Sequence, residues 1–570
     1  MPQQTVASSS QDAVELEHIA AHSHIAPQSI KSPAASSHEP PCDNGIDDTS
    51  AVLADASTTV AENEAEYPTG VELILILATV GGALILGSIE SDIVATAVPT
   101  ITDYFHTVAD VGWYSSAFRL CVCSFQFMFG KAYTLFPVKN VFILGNVISI
   151  VASLIAGSAT SSAMLIFGLA VAGVSHACLL AGCFVILIKS VPLRRRPMFI
   201  GVMGGVEGVA TVSAPILGGA LTQSIGWRWC FYINAPPAAV TLLMSIFFLS
   251  GSRNPGRKDM TLKQKMRELD LVSNLLFIPA MTSLFLALSW AGTKYPWSSG
   301  KVIGPLVTFV ALVAAFIYNQ FRRGATAALP PRVMRNRNVV AGFIFLMCIN
   351  GSGTVLQYYL PTYYQVVRGY SPAKSGYMML PIIIGGIIGA LIHGVGTSAF
   401  GYYAPFMIFG SIIMPISAGL ITQSFKVNSS FAELILYTGL SGLGYGIGFT
   451  GPNNAVQTVL PSEDVPLGLS IILFAQSFGP ALSVAIGQVL FTNQLATNLA
   501  DLVPGLNQTS VVEKGLSELV MSVPPQDMKQ VLVGVDKSLI QTWYLVVGLA
   551  CATIVGSLMT EWRSVKTKHD

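Results

Sequence analysis

Charge is what this sequence has least of. Asp, Glu, Lys and Arg make up 11% of its 570 residues, where a soluble domain carries about 25%. With 52% of the residues hydrophobic, a soluble globular chain is excluded, because the apolar residues fall in blocks of about 20, roughly the length that crosses a 30 Å hydrocarbon layer. The net charge is only +1, so no basic excess points to nucleic acid. CxxC pairs and Cys/His clusters are missing as well. Of eight cysteines, all except Cys42 lie in apolar blocks, which argues against a disulfide framework or a zinc site. The pair in "CVC" (Cys121 and Cys123) reads as filler within a block. No G-x-x-x-x-G-K-[ST] phosphate cradle occurs, nor a nucleophile elbow, a zinc-binding helix or a haem motif. "SGLGYGIGFTGP" is glycine-rich, but it lies inside a block with no lysine after it, and small-residue helix packing accounts for it. An enzyme, a resident metal or cofactor and a nucleotide-driven pump are all disfavoured. A polytopic helical membrane protein moving a solute at the expense of an ion gradient is the expectation, ahead of a channel.

What is present are fourteen apolar blocks, at about 71–98, 110–130, 140–159, 162–188, 198–221, 229–250, 270–291, 302–320, 339–360, 375–397, 403–424, 432–458, 465–491 and 541–560. Residues 1–67 are polar, with Lys31 their only Lys or Arg. They read as a disordered cytoplasmic tail without a cleavable signal peptide, so the first block would serve as an uncleaved membrane-entry signal. An even number of crossings puts both termini on one side. Counted with the termini inside, "GKAYTLFPVK", "KSVPLRRRP", "SRNPGRKDMTLKQKMR", "FRRGATAALPPRVMRNRN" and the C-terminal tail hold about 20 Lys and Arg against about eight outside, the asymmetry expected of cytoplasmic loops. One inner loop, "GVGTSAFGYYAP", has no basic residue. In this topology the sequons at Asn428 and Asn507 fall outside, as candidate glycosylation sites.

Against this background, "GSIESDIVATAVPTI" puts two carboxylates, Glu90 and Asp92, into the first block. Arg119 stands in the second block and Glu207 in the fifth. A charge at the bilayer centre costs about 2.5–3.5 kcal/mol on insertion scales, so such groups face a cavity or pair with one another. One reading is a cluster of three acids and one base in which Arg119 neutralises one acid and another is left to carry a proton or to touch a polar substrate. The other is that Asp92 lies near the outer interface and is hydrated. His176 and His393 are candidate proton relays or hydrogen-bonded packing residues, and Gln357 is a candidate substrate contact. In the fifth block, Gly201, Ala210, Ala214, Gly218 and Gly219 put small residues along one helix, around a bend or loosening at Pro215. This is the makings of a close, movable seam. Gly130, Lys131 and Lys139 are candidates for an inner-loop gate, although both lysines also suit a plain topology role, and Arg194, Arg195 and Arg196 read as topology determinants.

These segments carry a resemblance. "IESDIVATAVPTI" is similar to the Leu-Asp-x-Thr-Ile-Val-x-x-Ala-Leu-Pro signature of the major facilitator superfamily's fourteen-span drug:proton antiporters. "VGWYSSAFRL" resembles the opening of their second span, and "FGKAYTLFPVKNVF" the fungal form of the loop that follows it. "GVMGGVEGVATVSAPILGG" with "GWRWCFYINAPPAAV" resembles their fifth-span antiporter signature, while "YYQVVRGYSPAKSGYMMLP" and "GPNNAVQTVLPSEDVPLG" resemble second-half segments. The likeness covers about residues 70–565. It departs at Glu90, where the family usually has Asp; at Asp92, where it has Thr; and at Ala210 and Ala214, where it has Gly. It departs also at Leu169, where it has an Arg tied to proton coupling, at Arg119, usually apolar, and at Glu207, where an aromatic is common.

The resemblance implies an all-α major facilitator fold: a six-span half at 68–250, two extra spans at 251–338 with basic cytoplasmic loops, and a second half at 339–562. That second half would hold a long extracellular loop at 492–540 and be followed by a cytoplasmic tail at 563–570. It also implies a monomer in the lipid bilayer, most simply in the plasma membrane with a vacuolar or vesicle membrane as alternative. Its activity would be export of an amphipathic toxin, secondary metabolite or drug against protons, with no cofactor. Siderophore carriage is a second transporter reading, and a membrane sensor or scaffold the non-transporter one.

Overall fold

The computed structural model describes residues 67–105, 111–249, 261–291, 295–324, 327–426, 429–500 and 528–566. All but Tyr67 of the expected tail at 1–67, both sequons (Asn428 and Asn507) and residues 501–527 lie outside the described residues. Long helices account for most of the rest, and among the described residues β-structure is limited to two isolated bridges.

The first half is built from α1 (Gly70–Asp92), α2 (Val94–Phe105), α3 (Val111–Leu135), α4 (Val138–Gly157), α5 (Ser162–Ser190), α6 (Arg196–Ser224) and α7 (Ala235–Phe248). Two helices follow, α8 (Leu271–Trp290) and α9 (Gly300–Arg323). The second half has α10 (Arg337–Thr362), α11 (Leu380–Phe400), α12 (Ala404–Ser424), α13 (Phe431–Phe449), α14 (Gly451–Val459), α15 (Val465–Ala500) and α16 (Met528–Met559). Among the described residues, twelve helical segments are long and apolar enough to cross a membrane. The segment carrying Arg119 and Lys131, α3, is 25 residues long, and α13 has 19.

Local chemistry sets the ends and breaks. Ser161, Ser371 and Asn336 cap helices through side-chain acceptors, and Ser430 with Glu433 closes a capping box on α13; each such cap satisfies backbone N–H groups left open in the first turn. The first expected block is broken at Ile93 into α1 and α2. Ser88, Ser91 and Thr96 turn their hydroxyls back onto the carbonyls of Leu84, Ser88 and Ile93 at 3.0, 3.0 and 3.1 Å, bonds that bend helices. The twelfth block is broken at Thr450, where Pro452 in the first turn of α14 cannot donate to the preceding turn. The expected loop at 492–540 is shorter than its polarity suggested. The α15 helix runs on to Ala500 and α16 starts at Met528, and Asn498 donates to Ser538 Oγ (2.8 Å) and Gln541 Oε1 (2.9 Å) between them. The polar residues there pair helix to helix.

Glycine lets the helices of the second half meet backbone to backbone. A Cβ added at Gly389 would stand 2.5 Å from Leu443 O, and one at Gly442 or Gly446 would collide with the carbonyls of Ile382 or Gly386. This reciprocal contact locks α11 onto α13. The halves themselves meet along two seams. On one, α6 approaches α11: an added Cβ would be 2.6 Å from Ala390 O at Gly201, and 3.6 Å from Ile387 at Gly205 and Gly208. On the other, Gly130 of α3 lies directly against Ser470 of α15. Both tight points are at the end of the bundle that carries Lys131, Arg194–Arg196, Arg322 and Arg323, so the halves are closed at this basic end. The α8–α9 pair flanks the second seam. Phe277 of α8 sets its ring at an angle against Phe127 of α3 (5.2 Å between ring centres), Phe474 of α15 (5.6 Å) and Phe316 of α9 (5.0 Å).

Candidate functional site

The charged side chains of the first half divide into two groups. Asp92, at the last turn of α1, faces Arg119 of α3 across 3.5 Å, with 26% of the aspartate and 41% of the arginine side chain exposed. Glu207 of α6 lies within electrostatic range of Asp92 and, across the divide between the halves, of Tyr445 on α13. His176 of α5 is within range of Arg119, its ring 5.5 Å from that of Phe118 and seated on Gly87 of α1, where a Cβ has no room. Of the four charges read as one cluster, Asp92, Arg119 and Glu207 therefore share a neighbourhood, joined by His176, and Arg119's partner among the acids is Asp92.

Glu90 is not part of that group. It is 6% exposed and turns to α4, where Ser149 Oγ donates to its Oε1 at 3.0 Å and Ser153 Oγ at 3.4 Å. Beside it is a cavity of about 10 Å³, lined also by Leu169, Phe231 and Asn234 and the size of one water molecule. Leu169, which occupies the place of the family's arginine, thus adjoins Glu90. Two serines satisfy the acid, and the positive charge of this half stands on α3, opposite Asp92. Ser149 and Ser153 escape notice in the sequence because hydroxyls are common in apolar helices; their spacing of four on one helix face is the one available signal.

Other expectations divide. His393 is fully buried and doubly bonded: Nδ1 meets Ile447 O at 2.6 Å and Nε2 meets Asn454 Nδ2 at 3.1 Å. A carbonyl only accepts, so Nδ1 carries the hydrogen and Nε2 accepts from the amide. The ring ties α11 to α13 and α14. Gln357 is half-buried on α10 in the second half. Of the small residues in α6, Gly201 faces the second half, but Ala214 belongs to the core around the α1–α2 break, and Gly218 packs against Ile93 and Thr96. A Cβ at Gly219 meets nothing within 4 Å. The expected seam is corrected accordingly: only its first glycine joins the halves, and Gly204, Gly205 and Gly208 continue that contact. Ala210 is buried in the same helix and Pro215 interrupts its hydrogen-bond ladder. In the expected gate, Gly130 and Lys131 do reach across, whereas Lys139 donates to Ile246 O at 2.6 Å and stays within the first half. Arg196 closes the end of α5 through Val191 O (2.9 Å) and Ile188 O (2.7 Å).

The second half adds groups that were not singled out. Tyr445 donates to Asn350 Oδ1 at 2.8 Å and stacks on Phe449. Thr450, Asn453 and Gln457 recur at helical spacing, and all are buried with side-chain polar atoms that have no protein partner. Asn453 and Gln457 lie in "GPNNAVQ", quoted above only as a match, and Thr450 stands just before it.

A family model described as Major Facilitator Superfamily matches residues 80–484. The chain is 38% identical over 528 residues to an MFS-type efflux pump of Trichophyton rubrum, covering 92% of this chain and 98% of that protein. To the efflux pump aflT of Aspergillus parasiticus it is 37% identical over 507 residues, covering 89% and 98%. Among solved structures it is similar to the proton:xylose symporter XylE bound to 6-bromo-6-deoxy-D-glucose, at 12% identity and a TM-score of 0.54, over 79% of this chain and 96% of that one. It is similar also to the human organic anion transporter MFSD10, at 12% and 0.54, over 84% and 100%. Both likenesses speak to the fold. The match across most of the helical chain, the glycine-paired halves and the buried intramembrane charges lead to one assignment: the chain belongs to the Major Facilitator Superfamily and is a membrane transporter.

Proposed function

We propose that this transporter exports an amphipathic small molecule, such as a toxin, secondary metabolite or drug, in exchange for protons. The observation that carries the reading is the pair of acidic sites in the first half. One, Asp92 with Arg119, is open to a substrate; the other, Glu90, is sealed behind it on serine hydroxyls. A substrate that draws Arg119 away leaves Asp92 without its cation. A carboxylate in that position takes a proton, and it releases the proton when the arginine returns. Glu90 is the second proton-carrying candidate. The efflux pumps named among the relatives support the direction of transport.

In this reading the chain crosses the plasma membrane fourteen times, the twelve apolar segments being joined by α3 and by α13 with α14. Both helices carry the groups that pay for their lower hydropathy with function. The basic end is cytoplasmic, both termini lie there, and the protein works as a monomer.

The test is net efflux of a fluorescent amphipath, rhodamine 6G, from cells expressing the protein. Efflux above that of cells without it, abolished by a protonophore, is expected. Efflux that persists after the proton gradient has collapsed contradicts the proposal.

A further inference from the structure

The basic end is held by more than the two glycine seams. Asp270 is fully buried and caps α8 from a left-handed backbone position (φ 55°), the only non-glycine residue with positive φ among the described residues. Its carboxylate accepts from Ser273 N (3.2 Å), Ser273 Oγ (2.6 Å), Asn319 Nδ2 (3.4 Å) and Ala328 N (3.0 Å), and it pairs with Arg323 at 3.2 Å. Gln320 works beside it: its Oε1 accepts from Leu329 N at 2.9 Å, and its Nε2 donates to Ser273 Oγ at 2.6 Å. Two side chains thus grip the backbone of residues 328 and 329, in the connection that leaves α9 for the second half.

That gripped backbone touches both halves. Lys131, on α3 of the first half and 2% exposed, donates from Nζ to Ala327 O at 3.1 Å. Five residues later, Arg332 pairs with Asp464 at 2.6 Å, immediately before α15. Lys131 and the start of α15 flank the Gly130–Ser470 contact. A carbonyl fixed in place is a better acceptor for a buried ammonium than one on a free loop, because its ordering cost has already been met.

We propose that Asp270 is a positioning residue for transport: with Gln320 it holds residues 327–329 as a strap across the α3–α15 seam, so that Ala327 O receives Lys131 and the basic end stays shut. For that end to open, as rocking of one half against the other requires, the Lys131–Ala327 contact breaks. The strap rests on the reading of the chain as an alternating-access transporter, and it gives α8 and α9 a role in setting which end is open.

The test needs no transported compound. A cysteine is placed at Ser470, buried in the seam, in the full chain with its native cysteines replaced, and its rate of reaction with N-ethylmaleimide is measured in membranes. A second cysteine at Ser417, buried in α12 away from the seam, reports general unfolding. Asp270→Asn keeps the backbone conformation, since asparagine tolerates positive φ, but presents a donor where the strap needs an acceptor. It should raise labelling at position 470 by about fivefold, the ratio that roughly 1 kcal/mol gives, and leave position 417 unchanged. Lys131→Met should raise it similarly, and the double variant no further than either single one, because both act through one contact. Gln320→Leu loosens the strap without touching the cap of α8 and decides the matter where Asp270→Asn fails to fold. Unchanged labelling in both strap variants overturns the proposal, as do additive effects with Lys131→Met or a parallel rise at position 417. If the strap behaves as expected and rhodamine 6G efflux is absent, the export reading fails and the strap stands. If efflux is normal and labelling is indifferent to the strap, the strap alone fails.

Discussion

Asp92 and Arg119 meet through a single contact of 3.5 Å, with both side chains partly exposed. Breaking a fully buried pair costs about 3–5 kcal/mol, whereas an exposed pair is worth about 0–1 kcal/mol. The geometry puts this one nearer the lower figure, so Arg119→Leu should leave expression within about twofold of the parent while efflux falls at least tenfold. Adding Asp92→Asn should recover none of the efflux, because the carboxylate that takes the proton is then gone; efflux, normalised to surface protein, that returns in the double variant would show Asp92 to be only the counter-ion of Arg119. Glu90 invites a different variant. Its carboxylate only accepts from Ser149 and Ser153, and a glutamine amide oxygen accepts as well, so Glu90→Gln should insert and fold normally. Efflux by this variant, measured across a series of external pH values, should lose pH dependence; a profile like the parent's removes Glu90 from the coupling. The sequence displayed all four charges, because charge in an apolar block is conspicuous. It did not display their partners. Serines at 149 and 153 look like any others, and choosing among three acids for Arg119 needs the rotation of α1, which Ile93 interrupts.

At the scale of the helix, two neighbouring glycines separate packing from mere smallness. An added Cβ at Gly218 lies 2.7 Å from Ile93 O, while one at Gly219 meets nothing within 4 Å. Overpacking costs about 1–3 kcal/mol. Gly218→Leu should therefore lower surface expression or efflux severalfold, and Gly219→Leu should do neither; equal effects in the two variants would show that α6 is not packed this way. Gly201→Leu should act on the seam between the halves and speed maleimide labelling at its basic end. The stripe of small residues was plain in the sequence. Which neighbour each one meets was not, since Gly201 and Gly218 are about five turns apart and face different helices. Helix ends were least legible where polar residues pair between helices. Asn498 bonded to Ser538 and Gln541 reads as loop chemistry in a linear sequence and as helix packing in three dimensions.

At the scale of the whole molecule, the apolar blocks foretold the helical bundle, and their basic connections foretold its two unlike ends. The closure of one end was not foretold, because it depends on residues distant in the chain: Gly201 with Ala390, Gly130 with Ser470, Lys131 with Ala327. An epitope at the C-terminus should be reached by antibody only after the cells are permeabilised, and enzymatic deglycosylation should alter mobility unless Asn428 and Asn507 are both replaced. An epitope accessible on intact cells reverses the orientation. The central claim, exchange of an amphipathic solute for protons, is tested most directly in proteoliposomes that hold a trapped pH-sensitive dye, with rhodamine 6G supplied on one side. Movement of rhodamine 6G through the protein should drive protons the opposite way, and Arg119→Leu should abolish both fluxes. Rhodamine 6G transport without any proton movement, or with protons moving in the same direction, contradicts the account.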